Sequence, residues 1–284
     1  MANPPSDPSF DWKMYRYIPS LAAGILFISL FTILTLFHIY AYTQSRRTSF
    51  IYIILGGLCE IAGFGARIGS YFDNAAWAPF IIQGTLLLVG PLFFAATVYM
   101  MLGRAVRCAA AETVSRVGSR WYTRVFVTAD VSTLVVQGLG ASLMGTMQLG
   151  LAIAGEKVVI AGLALQVATF VVFLAAAGDF HARMVRLEKA GQGPKDRAWK
   201  EMLHVLYALS SLILFRCVFR LIEYAMGNAA YLIAHEWALY VFDGVPMLAV
   251  LVVLLVWQPK EMNGIQKSEG EKSSDGELGI VSSH

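Results

Sequence analysis

The stretch MLHVLYALSSLILFRCVFRLIEYAM, residues 202–226, decides the fold class of this chain. It carries charge only at Arg216, Arg220 and Glu223, all in its second half. A helix needs roughly 20 predominantly apolar residues to cross the hydrocarbon core of a bilayer, and this stretch is long enough. It therefore predicts a transmembrane helix that holds three charged residues near one end.

The chain contains six further apolar runs of similar length, five before this stretch and one after it. They cover about residues 19–42, 50–72, 79–102, 122–147, 155–178 and 235–257. Strand alternation is absent, and an unpaired strand leaves its backbone groups unsatisfied in lipid, so all seven runs are predicted as helices. The predicted fold is all-α: a polytopic membrane protein whose seven transmembrane helices form one bundle over residues 19–258.

The composition indicates that the bilayer is the main solvent. Of the 284 residues 57% are hydrophobic and 14% are charged, whereas soluble domains carry about 25% charged residues. The net charge of +3 gives no reason to expect a nucleic-acid partner. The three cysteines predict free thiols rather than a disulfide framework. The expected partner is the lipid bilayer, and the sequence predicts no cofactor.

Basic residues are distributed unequally between the two sides of the predicted spans. One side holds Lys13, Arg16 and Lys157. The other side holds Arg46, Arg47, Arg104, Arg107, Arg116, Arg120, Arg124, Arg183, Arg186, Lys189, Lys195, Arg197, Lys200, Lys260, Lys267 and Lys272. Since connections rich in Lys and Arg stay in the cytosol, the tail 1–18 is predicted to be exoplasmic. The polar tail 259–284 is predicted to be cytosolic and disordered.

Charged and strongly polar residues occur inside the predicted spans with helical spacing. They are Glu60, Arg67, Asp130, Gln137, Gln166, Arg216, Arg220, Glu223, Glu236 and Asp243. Several lie seven residues apart on one segment, which is two helical turns and therefore one face of the helix. A charge at mid-membrane costs about 2.5–3.5 kcal/mol on insertion scales. We therefore expect these side chains to face one another and to line a polar cavity that is reached from the exoplasmic side or from the outer leaflet.

Two interpretations of this cluster stay open at the level of sequence. In the first, interhelical ion pairs fix the register of the helices and bind nothing, a role that suits Arg220 and Glu223 best. In the second, acids and arginines drawn from at least four helices bind a ligand.

Glycines and prolines inside the spans predict local features of the bundle. Pro91 and Pro246 predict kinks in the third and seventh segments. Close helix contacts are expected at Gly63, Gly65, Gly69, Gly138, Gly140, Gly155 and Gly162.

Enzyme chemistry finds little support in the sequence. The last span contains no lysine, which excludes a retinal Schiff base. A membrane zinc hydrolase needs His and Asp ligands, but the candidates contain no pair at the i, i+4 spacing on one helix. Those candidates are His38, Asp179, His181 and His204. We predict no catalytic residues and no metal site, and a hydrolase is kept as a third alternative.

The polar residues and their neighbours resemble the fungal lipid-translocating exporter family, the aminocholesterol-resistance or RTA-like proteins. The resemblance covers about residues 50–258. Its strongest stretch is Arg216-x-x-Phe219-Arg220-x-x-Glu223-x-x-x-Gly227, followed by Glu236, Tyr240 and Asp243. The second segment carries Glu60-x-x-Gly63-Phe64-x-x-Arg67, with Phe64 where the family usually has Tyr. In the third segment Gly90 precedes Pro91 at a position where the family often has Ala.

This resemblance implies a plasma-membrane protein that moves or releases amphipathic lipids, such as sphingoid long-chain bases, and that is linked to lipophilic drug resistance. The ten polar residues above and Tyr240 are then the expected contacts of the lipid, with the acids neutralising a cationic amine head. The alternative is a heptahelical lipid receptor or stress sensor that uses the same cavity and signals through its cytosolic loops.

Overall fold

The structure is a computed structural model that describes residues 20–45, 48–72, 77–108, 119–144, 149–191, 198–226 and 235–257. The predicted exoplasmic tail 1–18 and the predicted cytosolic tail 259–284 lie outside the described residues.

Seven long helices account for almost all of the described residues. Their bounds are α1 Leu21–Ser45, α2 Thr48–Phe72, α3 Trp77–Cys108, α4 Ser119–Met144, α5 Leu149–Lys189, α6 Ala198–Ala225 and α7 Glu236–Trp257. Each helix is long and apolar enough to cross a membrane, and no strand occurs within the described ranges. The predicted all-α fold with seven membrane-spanning helices is confirmed.

The fifth helix extends well beyond its predicted span of 155–178. With 41 residues, α5 is about 60 Å long, roughly twice the thickness of the hydrocarbon core. Phe180 and Met184 on the added turns are buried in the same apolar core as Trp199 at the start of α6. The helix ends before Gly191, which has a φ of 72°. The turns added after residue 178 mix charged and apolar side chains, so hydropathy did not mark them as part of the span.

The third helix lies at the centre of the bundle. In its most apolar stretch of 18 residues, 72% of the residues are buried, against 22–50% in the same stretch of the other six helices. It packs against α2, α4 and α6, while α7 contacts α1, α2 and α6. Helices α1 and α7 run parallel, with Ser20 beside Glu236 and His38 beside Leu251. We call the end at which α1 and α7 begin the upper end of the bundle.

The distribution of polar and apolar side chains is reversed relative to a water-soluble protein. Large apolar side chains such as Leu36, Val172 and Val256 are more than half exposed on the outside of the bundle. Charged groups such as Arg67, Glu60 and Asp243 are 1–2% exposed. A surface of this kind is suited to contact with lipid. Lipid tails solvate apolar side chains, whereas polar groups have to find partners inside the bundle.

Glycine allows α4 and α5 to approach each other at the level of their backbones. A Cβ atom at Gly140 would lie 2.8 Å from the carbonyl oxygen of Gly155, and one at Gly155 would lie 2.5 Å from that of Gly140. Gly162 is in a similarly close contact with Gln137. The prediction for Gly138 is wrong, since its position is exposed and no atom lies within 4 Å of an added Cβ.

This contact predicts opposite results for two neighbouring glycines of α4. Gly140→Ala should destabilise the protein by about 1–3 kcal/mol, because the new methyl group overpacks the helix interface. Gly138→Ala is the matched control, since it adds the same methyl group with the same gain in helix propensity. The measurement is the thermal midpoint of the purified protein in detergent. Equal midpoints for the two variants would contradict the packing described here.

Candidate functional site

Buried charges from α6 and α7 meet at Asp243 near the upper end of the bundle. Its Oδ1 is 2.5 Å from Nε of Arg216, and its Oδ2 is 2.8 Å from Nη2 of Arg220. Arg220 also donates from Nη1 to Glu223 Oε2 over 2.9 Å. All four side chains are 10% exposed or less. The pairing of Arg220 with Glu223 is within α6, and the link from Arg220 to another helix is made through Asp243.

Asp243 belongs to an irregular turn of α7. Tyr240–Gly244 form a π-helical turn, in which the N–H of Val245 donates to the carbonyl oxygen of Tyr240. Tyr240, Asp243 and Gly244 are all buried in this turn. The turn lies directly before Pro246, where the sequence predicted a kink. A π-helical turn of this kind is frequent at functional sites.

Proline in α3 provides a further partner for Arg216. Pro91 has no N–H, so the carbonyl group of Leu87, four residues earlier, loses its partner within the helix. Arg216 donates from Nη2 to this Leu87 oxygen. The guanidinium group therefore joins α6 to α3 as well as to α7.

Glu60 extends from α2 toward the same arginines. Its Oε1 is buried and has no hydrogen-bond partner among the described residues. Arg216, Arg220 and Asp243 are near enough for their charges to act on it. Gly90 of α3 leaves the space for its carboxyl group, because a Cβ atom there would lie 2.7 Å from Oε1. The family that the sequence resembles often has Ala at this position. An Ala there would require Glu60 to move in this protein.

A second set of contacts links α2, α7 and the start of α1. Arg67 donates from Nη2 to Glu236 Oε1 over 3.0 Å and from Nε to the Tyr240 hydroxyl over 3.1 Å. Both carboxylate oxygens of Glu236 also accept from the backbone N–H of Ser20, at 2.8 and 2.9 Å. Glu236 therefore holds the first turn of α1 against α7, and its side chain is still 18% exposed.

We call these seven charged residues the ion cluster. They are Glu60, Arg67, Arg216, Arg220, Glu223, Glu236 and Asp243. Three arginines thus share the interior with four carboxyl groups. When all seven are ionised, one negative charge has no matching cation within the cluster, which favours the binding of a positive group beside it.

A shallow pocket of about 280 Å³, wide open to the outside of the bundle, borders the ion cluster between α1 and α7. It is lined by Ala23, Phe27, Glu236, Trp237, Tyr240 and Val241. Trp237 and Val241 are nearly half exposed on the outside of the bundle. The pocket therefore joins a carboxylate to an apolar wall that reaches the surrounding lipid.

The remaining predicted site residues lie apart from the ion cluster, between α3, α4 and α5. The Tyr99 hydroxyl donates to Asp130 Oδ2 over 2.6 Å. Gln137 donates to Gln166 Oε1 over 3.0 Å. The sequence led us to expect one polar cavity, whereas the structure pairs Asp130 with Tyr99 of α3 and Gln137 with Gln166 of α5, and neither pair includes a residue of the ion cluster.

Two of the histidines considered as metal ligands have hydrogen-bond partners elsewhere. His38 Nε2 lies 3.1 Å from the carbonyl oxygen of Leu251, and His181 Nδ1 lies 3.3 Å from the Tyr207 hydroxyl. Within the described ranges no group of three or more His, Cys, Asp or Glu is placed to hold a metal ion.

Part of the site came from positions that the sequence did not single out. Ala23 and Phe27 form the α1 wall of the pocket, and Ser20 contributes a backbone N–H to Glu236. The first helix has no Asp, Glu, Lys or Arg, so no charged residue in it pointed to a lipid site. The carbonyl group of Leu87 was deducible in principle, since Pro91 stands four residues after it.

The ion cluster predicts unequal effects of two isosteric substitutions. Asp243→Asn removes the counter-charge of both Arg216 and Arg220 and should cost about 3–5 kcal/mol of stability. Glu223→Gln is the matched comparison and should cost less, because Arg220 keeps Asp243. The yield of monodisperse protein and its thermal midpoint measure the difference. A larger loss for Glu223→Gln than for Asp243→Asn would show that the cluster is not centred on Asp243.

Comparisons with known proteins place the chain in a family. The family described as RTA1 like protein matches residues 53–266. Protein RTA1 of Saccharomyces cerevisiae is 32% identical over 274 residues, which cover 87% of this chain and 85% of that protein. Protoporphyrin uptake protein 1 of the same species is 30% identical over 278 residues, covering 86% and 91% of the two chains.

A more distant relative is named for a lipid. The sphingoid long-chain base transporter RSB1 of Saccharomyces cerevisiae is 27% identical over 275 residues, covering 85% of this chain and 72% of that protein. No solved structure matches the chain. Two of these three relatives are named for transport or uptake, in agreement with a transporter-like role in a membrane. Since the family match spans most of the chain and includes every residue of the ion cluster, the protein belongs to the RTA1-like family.

Proposed function

We propose that the protein moves or releases amphipathic lipids with one cationic amine head, such as sphingoid long-chain bases, across the membrane. The observation that carries this proposal is the pocket between α1 and α7, where the carboxylate of Glu236 meets an apolar wall. The names of the transport and uptake relatives agree with the movement of an amphiphile.

The head group binds at Glu236. This acid is the most exposed carboxylate of the ion cluster, at 18%, and it lines the pocket together with Tyr240. An ammonium group placed there supplies the positive charge that three arginines leave missing beside four acids. Rings of Phe27, Trp237 and Tyr240 add attraction for a cation through their electron-rich faces.

The tail lies along the apolar side of the pocket. Phe27, Trp237 and Val241 line this side, and the latter two are exposed to the lipid around the bundle. An amphiphile is thereby able to enter from the bilayer without passing its tail through water.

In this proposal the other predicted contact residues support the pocket from inside the bundle. Arg67 and Tyr240 position Glu236, while Arg216, Arg220, Glu223 and Asp243 form the charged wall behind them. Glu60, Asp130, Gln137 and Gln166 are polar groups deeper in the bundle. We place the upper end on the exoplasmic side of the plasma membrane, so that the pocket opens in the outer leaflet.

Filling the pocket tests its role without touching a charge. Val241→Phe should lower binding and transbilayer movement of a fluorescent long-chain base at least tenfold, because the ring occupies the space of the ligand. Val245→Phe is the control: Val245 is on the same helix and equally exposed at 48%, and it does not line the pocket. Binding and movement are measured with purified protein in liposomes. Equal activity of the two variants would reject this site.

The same experiment separates a transporter from a lipid receptor. A transporter raises the transbilayer rate of the labelled base above that of protein-free liposomes. A receptor binds the base in the Val245→Phe variant, loses it in Val241→Phe, and leaves the transbilayer rate of the liposomes unchanged in both.

The orientation is tested by epitope accessibility. A tag before residue 1 should bind antibody on intact cells, and a tag after residue 284 should bind it only after permeabilisation, because the basic connections remain in the cytosol. The reverse pattern would place the pocket in the inner leaflet.

A further inference from the structure

We propose that Asp130 is a proton-binding site and that the protein exchanges one proton for one cationic lipid. This inference rests on the proposed function for its second half, whereas the proton site itself stands on the surroundings of Asp130.

Asp130 differs from the other buried acids of the described chain in having no cation beside it. Its side chain is 2% exposed, its Oδ2 accepts from Tyr99, and its Oδ1 has no hydrogen-bond partner within the described residues. By contrast, Glu223, Glu236 and Asp243 form ion pairs with arginine, and Glu60 lies in the field of Arg216 and Arg220.

Among the described residues, the groups that face Asp130 from neighbouring helices are uncharged. They are Tyr99 of α3, Thr169 of α5 and Cys217 of α6. The Thr169 hydroxyl already donates to carbonyl groups of its own helix. An ionised carboxylate with so little support in a low-dielectric interior is costly, so the carboxyl group binds a proton to become neutral.

The aromatic side chains around Tyr99 restrict water near this carboxyl group. Rings of Phe126, Phe170 and Phe173 have centroids 4.6–6.0 Å from that of Tyr99, and Tyr99 itself is 0% exposed. Asp130 lies seven residues after Thr123, where the α4 span begins, and thus about 10 Å from the lower boundary of the span. The shorter route for a proton therefore leads to the lower end.

The third helix connects this acid to the ion cluster. Tyr99 lies on the same helix as Leu87, whose carbonyl group accepts from Arg216, and as Gly90, which makes room for Glu60. When Asp130 is ionised, its Oδ2 accepts a charge-assisted hydrogen bond from the Tyr99 hydroxyl; when Oδ1 carries a proton, Oδ2 accepts the same bond as a neutral carbonyl oxygen, and the bond is weaker. Uptake of a proton thus changes a contact of the helix that carries both sites.

The exchange balances in charge. Asp130 takes one proton from water at one end of the bundle and later returns it to water at the other end. The cationic lipid moves in the opposite sense, so one positive charge replaces another in the interior. No other reactant is needed, and a proton gradient is the driving force.

The test uses liposomes containing the full-length protein and a fluorescent single-chain trimethylammonium amphiphile. This probe keeps its charge at every pH, so it cannot distribute as a neutral amine. With one-for-one exchange, a gradient of one pH unit should change the transbilayer ratio of the probe about tenfold. Asp130→Asn should abolish this response and still bind the probe. Asp179→Asn is the matched control, because Asp179 is 53% exposed and pairs with Arg183 at the lower part of α5.

An infrared measurement tests the proton site independently of transport. The wild type should show the carbonyl band of a protonated buried carboxylic acid, and Asp130→Asn should lack it. Tyr99→Phe should shift this band and displace the pH at which it disappears. An acid that serves only in packing would not show this pH-dependent band. Identical spectra for wild type and Asp130→Asn would overturn the proton site.

Separate outcomes identify which idea fails. A pH response that persists in Asp130→Asn, or a wild type whose probe movement ignores the gradient, overturns the exchange. Loss of probe binding in Asp130→Asn, at the level of Val241→Phe, overturns the separation of the two sites. If no variant moves the probe, the proposed function fails, and the infrared band alone then decides for or against the proton site.

Discussion

The pairing of Asp243 with Arg216 and Arg220 is the interaction on which the rest of the structure depends. Two guanidinium groups in the interior of a membrane bundle need a counter-charge, and one carboxylate serves both. Because the arginines lie on α6 and the acid on α7, their contact fixes the relation of these helices. Glu60 of α2 and the Leu87 carbonyl group of α3 complete the surroundings of the same arginines.

Irregular backbone in α3 and α7 contributes to the surroundings of the buried charges. Pro91 frees a carbonyl group in α3 for Arg216, and the π-helical turn of α7 buries Tyr240 and Asp243 together. In both places a helix gives up regular geometry where it faces other helices rather than lipid. Backbone groups released there find protein partners, which is the condition for tolerating them inside a membrane.

The structure divides the buried acids into two environments with different chemistry. Around the ion cluster, arginines pair with carboxylates, and an apolar pocket beside Glu236 suits a cationic amphiphile. Around Asp130 there is no cation among the described residues, and the environment suits a neutral acid. The central helix α3 contacts both, so a change at one site has a physical route to the other.

The sequence by itself determined the seven helices, since apolar runs of membrane length have no other stable conformation in lipid. It also identified the buried charges, including Glu236 and Asp243, because such residues stand out in an apolar span. Only the tertiary structure decided their partners: Glu236 pairs with Arg67 and the Ser20 N–H, and Asp130 stands apart. The physical reason is that spacing along a helix defines a face, whereas the partner of that face depends on packing between helices distant in sequence. Ala23 and Phe27 became part of the site in the same way, since apolar residues carry no signal until a charged group from another helix lies beside them.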